Sequence, residues 1–398
     1  MNAMSQLAPR AEASPWSAVI AVAVGAFALV TSEFLPVGLL PHIAHDLAIT
    51  DGEAGLLVTM PAVVAAFAAL GTSTLFGHAD RRHVLMALLG VLGLSNAMVA
   101  VSTHVILLLM ARALIGAAIG SFWSIGVSMG QRLRPGADGV RAASIILSGV
   151  SIGTVAGVPA GAVMGQLLGW RWAFGACAVM AAGVFAILAA WLPSVPPDGG
   201  KSAKELMSML RLRPLRRGLL LTLVMFVAQF GTYTYITPFL NRVSHVSSSA
   251  VGGVLLAYGV ASFVGTLLGG WLSSKQLRLS VALTGLVIGG SVLSLALLGQ
   301  STMAAMAAVV LWGLGFGMLP ITTQTLAFDA APGRMDNVGS LFVCTAQVAI
   351  AFGSLAGGLV VDHVGLAESL MLGGALSCIC ALFVAFAKAP RVPVAARA

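Results

Sequence analysis

Residues 16–40 read WSAVIAVAVGAFALVTSEFLPVGLL, a run with one ionisable side chain, Glu33. A crossing of the hydrocarbon core takes about 20 mostly apolar residues, so this stretch can span a bilayer as a helix. It is too long for the apolar core of a cleavable signal, and no small-x-small site follows it. Working outward, comparable runs recur at 54–77, 84–101, 105–128, 142–168, 172–192, 218–240, 250–272, 279–299, 302–327, 337–361 and 366–387. The sequence therefore predicts an all-α membrane protein with twelve transmembrane helices.

Composition points the same way. Of 398 residues, 59% are hydrophobic and only 9% charged, where a soluble domain carries about 25% charged residues. Mean hydropathy is +0.99. The 47 glycines suit helices that pack closely in lipid, where small residues let backbones approach. A sequence pI of 9.9 raises nucleic-acid binding, but the basic residues sit in short loops between apolar runs, which excludes that partner. Cys177, Cys344, Cys378 and Cys380 lie inside apolar runs and read as small packing residues. The seven histidines lie in turns or at helix ends, without metal-ligand spacing. No G-x-x-x-x-G-K-[ST] sequence offers a nucleotide site, and no nucleophile–base pair suggests an enzyme. No cofactor is expected, and the protein reads as a monomer.

Lysine and arginine placement orients the chain. With the N-terminus cytoplasmic, the cytoplasmic segments carry Arg10, Arg81, Arg82, Arg132, Arg134, Arg141, Lys201, Lys204, Arg211, Arg213, Arg216, Arg217, Lys275, Arg278, Arg334, Lys388, Arg391 and Arg397. The opposite face has only Arg171 and Arg242, and Arg112 falls inside a span. Both termini and the central loop are thus expected in the cytoplasm, with the protein in an inner membrane. The longest polar interruption, Pro193 to Arg217, contains Pro196-Pro-Asp-Gly-Gly200 and lies near the midpoint. It divides the chain into a tail (1–15), a six-helix bundle (16–193), a cytoplasmic linker (194–217), a second six-helix bundle (218–388) and a C-terminal tail (389–398).

The halves echo one another. Gly116 and Gly120 correspond to Gly313 and Gly317 at an offset of 197; Gly157, Gly161 and Gly169 correspond to Gly353, Gly357 and Gly365 at 196; Gly71-Thr72 and Gly265-Thr266 repeat at 194. Duplicated halves with a solute site between them are the architecture of alternating-access carriers.

Two ionisable side chains lie well inside predicted spans, Glu33 and Arg112. A charge in the bilayer interior is costly and marks a functional candidate. Counted along their helices from the periplasmic end, both lie about 10–12 Å deep at about 1.5 Å per residue. Glu33 reads as a proton-binding carboxylate that responds to Arg112; the competing reading is a static ion pair that fixes packing. After the second span, Asp80-Arg81-Arg82 can form a charge network with neighbouring helix ends, or can simply anchor the cytoplasmic face. In the fifth span, Gly153, Gly157 and Gly161 make one smooth face and Pro159 bends the helix; these are candidate conformational elements. For solute contact the candidates are Phe34 beside Glu33, Trp123 on the Arg112 stripe, Gln229 with Tyr233, and Trp312, Phe316 and Thr323. Aromatic rings with a few amides and hydroxyls suit a neutral or aromatic solute. Each aromatic could equally face lipid or the core.

These motifs carry a resemblance. The chain resembles the major facilitator superfamily over nearly its whole length, and within it the drug:proton antiporter branch. Asp80-Arg81-Arg82 is similar to a shortened form of the family's loop 2–3 signature. Arg112-Ala-Leu-Ile-Gly116-Ala-Ala-Ile-Gly120 is similar to the helix 4 signature, and Gly149 to Gly161 with Pro159 to the antiporter signature of helix 5, with Val158 where glycine precedes proline. Thr31-Ser-Glu33-Phe-Leu-Pro36, Gly120-Ser-Phe-Trp123-Ser, Gly169-Trp-Arg171 and Tyr233-Thr-Tyr235-Ile-Thr-Pro238 resemble bacterial purine ribonucleoside exporters and the related sugar and arabinose efflux permeases. The resemblance implies solute:proton antiport directed outward, with Glu33 as the coupling site and a ribonucleoside-like or sugar-like metabolite as cargo. A multidrug or chloramphenicol-type antiporter and a proton-independent facilitator are the alternatives.

Overall fold

In hydrocarbon every backbone polar group must find its partner within the chain, which leaves helices as the way for these apolar runs to cross. The structure of the protein, a computed structural model, describes residues 15–126, 129–197, 203–331 and 334–386. Arg10, Lys201, Lys388, Arg391 and Arg397, most of the N-terminal tail and all of the C-terminal one lie outside the described residues, as does the side chain of Lys204. The helices are α1 (Trp16–Leu47), α2 (Asp51–Leu75), α3 (Arg81–Val101), α4 (Val105–Ile125), α5 (Met129–Leu133), α6 (Ala137–Leu168) and α7 (Trp170–Trp191). They continue with α8 (Ala203–Met209), α9 (Arg213–Tyr233), α10 (Ile236–Arg242), α11 (Ser248–Leu298), α12 (Thr302–Asp329), α13 (Met335–His363) and α14 (Leu366–Phe386).

Among the described residues, eleven helical stretches are long and apolar enough to cross a membrane. One of them is two crossings. α11 leaves helical geometry at Gln276 and turns back there, since Ser280 Oγ reaches the Gly269 carbonyl and Ser273 Oγ. α9 and α10 together make one crossing, interrupted at Thr234 and Tyr235. The protein is thus a twelve-span membrane protein in two pseudo-symmetric halves. Side chains such as Phe67, Phe383 and Phe386, exposed by 75%, 70% and 83%, form an outer surface that suits acyl chains.

Local chemistry sets the helix ends. Thr50 and Glu53 form a reciprocal capping box at α2, and Asp80 caps α3. α1 runs seven residues past the expected boundary at Leu40, through Pro36 and Pro41; proline is tolerated within membrane helices because neighbouring groups re-satisfy the freed carbonyls. Two elements were not anticipated from the sequence. α5 is a short turn before α6, and α8 lies inside the central linker with Leu206 and Met209 buried in the core of the second half.

Glycine contacts reproduce the internal repeat in three dimensions. A Cβ on Gly157 would meet Thr31 and one on Gly161 would meet Leu35; a Cβ on Gly353 would meet Val227 and one on Gly357 would meet Gly231. α6 on α1 and α13 on α9 therefore pack in the same register. Gly116 and Gly120 abut Pro61 and Ala65, just as Gly313 and Gly317 abut Tyr258 and Ser262. Gly169 and Gly365 both adopt positive φ, 92° and 152°, in the turns before α7 and α14, a conformation glycine takes without steric penalty. The Gly71–Gly265 pairing fails. Gly265 packs against Leu314 of α12, whereas among the described residues the neighbour that a Cβ on Gly71 would meet is Leu75 of its own helix. The register of the other pairs places residue 68, not 71, opposite Gly265.

Hydrogen bonds between the halves gather on the face that carries the α1–α2 turn. Asp362 accepts from Thr50 Oγ1 (2.7 Å) and the Gly52 N–H (3.0 Å). Arg242 pairs with Asp51 at 2.6 Å, Thr237 donates to the Val37 carbonyl, and Ser354 donates to the Gly55 carbonyl. From there α6 and α11 stay together as far as Val155 and Gly259, near mid-helix. On the opposite face, Glu205 with Asn337 ties the linker to the second half.

Candidate functional site

Arg112 is fully buried on α4. Its Nε donates to the Leu57 carbonyl (2.9 Å), Nη1 to the Ser32 carbonyl (2.9 Å) and Nη2 to the Glu33 carbonyl (3.0 Å). The guanidinium thus fastens α4 to α2 and to the middle of α1 through backbone oxygens, and it forms no ion pair with the Glu33 carboxylate. The static-pair reading is corrected on this point: the fixed fork of donors is engaged by carbonyls. The depth of Glu33 is corrected too. Because α1 ends at Leu47, Glu33 lies fourteen residues from that end and near mid-helix, level with Arg112 through direct contact.

The Glu33 carboxylate, 8% exposed, faces the other half. Its Oε1 accepts a hydrogen bond from Gln347 Nε2 of α13 at 3.4 Å. Next to it Phe34 packs against two buried clusters centred on different halves and stacks on Phe230 at 6.1 Å. Ser32 Oγ accepts from Asn96 of α3 at 3.0 Å, so the polar segment of α1 is held from several sides.

The second half supplies an aromatic cluster. Tyr233 stacks on Tyr258 (5.0 Å) and on Phe316 (5.6 Å) and meets Trp312 edge-on (6.0 Å). Phe230 links this group to Phe34 and Phe226. Gln229, with no exposed surface, accepts from Trp312 Nε1 at 2.8 Å and donates to Tyr258 Oη at 3.1 Å. Of the candidate contact residues, Phe34, Gln229, Tyr233, Trp312 and Phe316 thus come together. Trp123 and Thr323 do not join them. Trp123 packs against Phe122 and the core of the first half, and the Thr323 hydroxyl donates to the Leu319 carbonyl of its own helix. Phe230, Tyr258 and Gln347 escaped the sequence reading. The repeat could have found Phe230, since the register that pairs Thr31 with Val227 makes Glu33-Phe34 the counterpart of Gln229-Phe230. An amide inside an apolar run could have marked Gln347.

On the linker face, Asp80 accepts from Ser194 Oγ, the Val195 N–H (3.0 Å) and the Arg82 N–H (2.8 Å). Partial burial opposes ionisation of its carboxyl, but these bonds, with His83 nearby, hold it below the usual carboxylate range. Arg81 donates to the Phe76 carbonyl and Arg82 to the Ala189 carbonyl. The motif clasps the ends of α2, α3 and α7 within the first half. On α6, Gly153 meets Phe27 as Gly157 and Gly161 meet Thr31 and Leu35, and Pro159 lies within that helix.

Twelve spans in two duplicated halves, with a buried carboxylate and an aromatic cluster where they meet, define a multi-pass membrane transporter. The family model described as Major Facilitator Superfamily matches residues 22–354. Curated relatives named purine ribonucleoside efflux pump NepI, from Salmonella paratyphi A and Escherichia coli K12, are 35% identical over 374 and 373 residues, covering 93% of both chains. The chain belongs to the Major Facilitator Superfamily. Among solved structures, a bacterial homologue of the human lysosomal transporter Spinster, inward-facing and unoccupied, superposes with a TM-score of 0.75 at 16% identity, covering 93% of this chain and 95% of that one. Its occupied form gives 0.73. At that identity the likeness concerns the fold.

Proposed function

We propose that this transporter is a proton-coupled exporter, a solute:proton antiporter that moves a small ribonucleoside-like or sugar-like metabolite out across the bacterial inner membrane by alternating access. The observation that carries the reading is Glu33: a buried carboxyl group at the boundary between the halves, bonded across to Gln347, while the hydrogen bonds of the neighbouring Arg112 go to backbone carbonyls. A carboxyl group in the membrane interior is a candidate proton relay, since it can bind a proton from whichever side solvent reaches it. The basic residues of the linker face support a cytoplasmic placement for that face. The α1–α2 face is then periplasmic and closed, which makes this the cytoplasm-facing state of a monomeric carrier.

In the cycle, cargo enters from the cytoplasm as Glu33 gives up its proton to that side. The halves tilt about the α6–α11 and α2–α13 contacts, the periplasmic latch parts, and a proton from outside re-protonates Glu33 as cargo leaves. The membrane potential supplies about 2.3 kcal/mol per proton charge per 100 mV. Asp80, Arg81 and Arg82 would brace the cytoplasmic ends, and Gly153, Gly157, Gly161 and Pro159 would let α6 slide and bend on α1. Phe34, Tyr233, Trp312 and Phe316 suit a planar ring in the cargo. The same aromatic surface favours a second reading, a multidrug or chloramphenicol-type antiporter.

Everted vesicles energised with an acid interior test both. Wild type should accumulate labelled purine ribonucleosides or sugars, and Glu33→Gln should lose at least tenfold of that uptake while retaining exchange. Equal accumulation by both proteins would make the carrier a proton-independent facilitator. Accumulation confined to chloramphenicol-like compounds would select the drug reading.

A further inference from the structure

The two halves treat equivalent positions differently. Under the common register, Glu33 and Gln229 are counterparts. The Gln229 amide is satisfied inside its own half by Trp312 and Tyr258, whereas the Glu33 carboxylate reaches across to the other half. Its partner Gln347 is 4% exposed, and the Gln347 Oε1 has no hydrogen-bond partner. A buried amide oxygen left unpaired costs about 1–3 kcal/mol. It persists here beside the carboxyl group of the site, which offers acceptors alone when ionised and an O–H donor as well when protonated.

That pairing has a chemical consequence. Toward a carboxylate, Gln347 can act through its Nε2 donor; toward a carboxylic acid it can receive the new O–H at Oε1 after the amide rotates. The present bond is long for an N–H···O contact, so the interaction has room to tighten in the other protonation state. The remaining charged or titratable groups around the site have other attachments. Arg112 from α4 is engaged by three carbonyls, Cys177 from α7 lies beside Ser32, and Tyr233 and Tyr258 belong to the aromatic cluster. Gln347 is the hydrogen-bonded contact from the second half to the Glu33 carboxyl.

We propose that Gln347 is the positioning residue that transmits proton binding at Glu33 to the second half, through an amide that exchanges its donor for its acceptor when the carboxyl group gains a proton. This rests on the proton-coupled reading above and adds the residue through which the halves respond.

The test uses the full chain in lipid nanodiscs, with Cys344 and Cys378 replaced by alanine and Ser354→Cys as a reporter in the closed α1–α2 interface. Maleimide labelling of the reporter is followed across the physiological pH range, expressed at each pH relative to the same cysteine in detergent-denatured protein so that the thiolate fraction cancels, and pH-difference infrared spectra record the carboxyl band that Glu33→Gln removes. In the parent, labelling should change several-fold with pH. In Gln347→Met, which keeps the volume and removes the amide, the Glu33 band should still titrate but move to higher wavenumber, and the labelling should lose its pH dependence. Gln347→Asn should restore part of the response. A parental pH response in Gln347→Met, an unmoved band, or disappearance of the band would each overturn the proposal. Persistence of the pH response in Glu33→Gln would instead sink the proton-coupled reading itself.

Discussion

Arg112 is an intramembrane arginine whose partners are carbonyls. A guanidinium in lipid is expensive, and here the cost is offset by three hydrogen bonds that join α4 to α1 and α2. A lysine has one ammonium and cannot copy the planar fork. Arg112→Lys should therefore leave buried carbonyls unpaired and lower stability by about 2 kcal/mol, seen as a drop of several degrees in detergent thermal unfolding. An unchanged midpoint would mean those carbonyls find other donors. Both Glu33 and Arg112 were conspicuous in the sequence as isolated charges in apolar runs. That they touch through the Glu33 backbone and not its side chain was not legible, since hydropathy carries no information about which end of a side chain meets its neighbour.

At the scale of the elements, the best-read features were those with a local cause. Span limits followed apolar runs, and the repeat followed glycine spacing because close helix approach needs residues without bulk at four-residue intervals. The same logic misjudged Gly71, which stands at an offset of 194 where the pairs that pack alike stand at 196 or 197. α8 was missed because its anchor, Leu206 and Met209 in the second-half core, depends on distant residues. The Asp80 clasp ties two elements at once. Replacing an N-cap carboxylate by alanine costs about 1 kcal/mol, so Asp80→Ala should lower the unfolding midpoint at neutral pH. Since the folded carboxyl is held below its ordinary value, its stabilisation is complete above the unfolded value of about 4 and fades as pH falls through the lower folded value. The variant should show a flatter acid limb in unfolding scans; parallel curves for both proteins would remove Asp80 from the clasp.

For the whole molecule, the question is what holds the α1–α2 face shut. Asp362 receives both Thr50 and the Gly52 N–H, and Arg242 sits on Asp51. Exposed contacts to a charged group contribute up to about 1 kcal/mol, and a loss of about 1 kcal/mol shifts a two-state equilibrium about fivefold. Asp362→Asn should increase maleimide labelling of a cysteine at Ser354 by roughly that factor if the face opens in two states. Labelling at the wild-type rate would show that helix packing alone keeps it closed.

The sequence by itself determined the solvent, the number of crossings, the duplication and the two charges that lipid cannot ignore, because each follows from how many apolar or small residues stand in a row or recur at helical spacing. Only the tertiary structure decided partners: that Arg112 takes carbonyls, that Phe34 lies on Phe230, that Glu33 meets Gln347 from 314 residues away. Those contacts form between helices far apart in the chain, where packing geometry and not local composition chooses the neighbour.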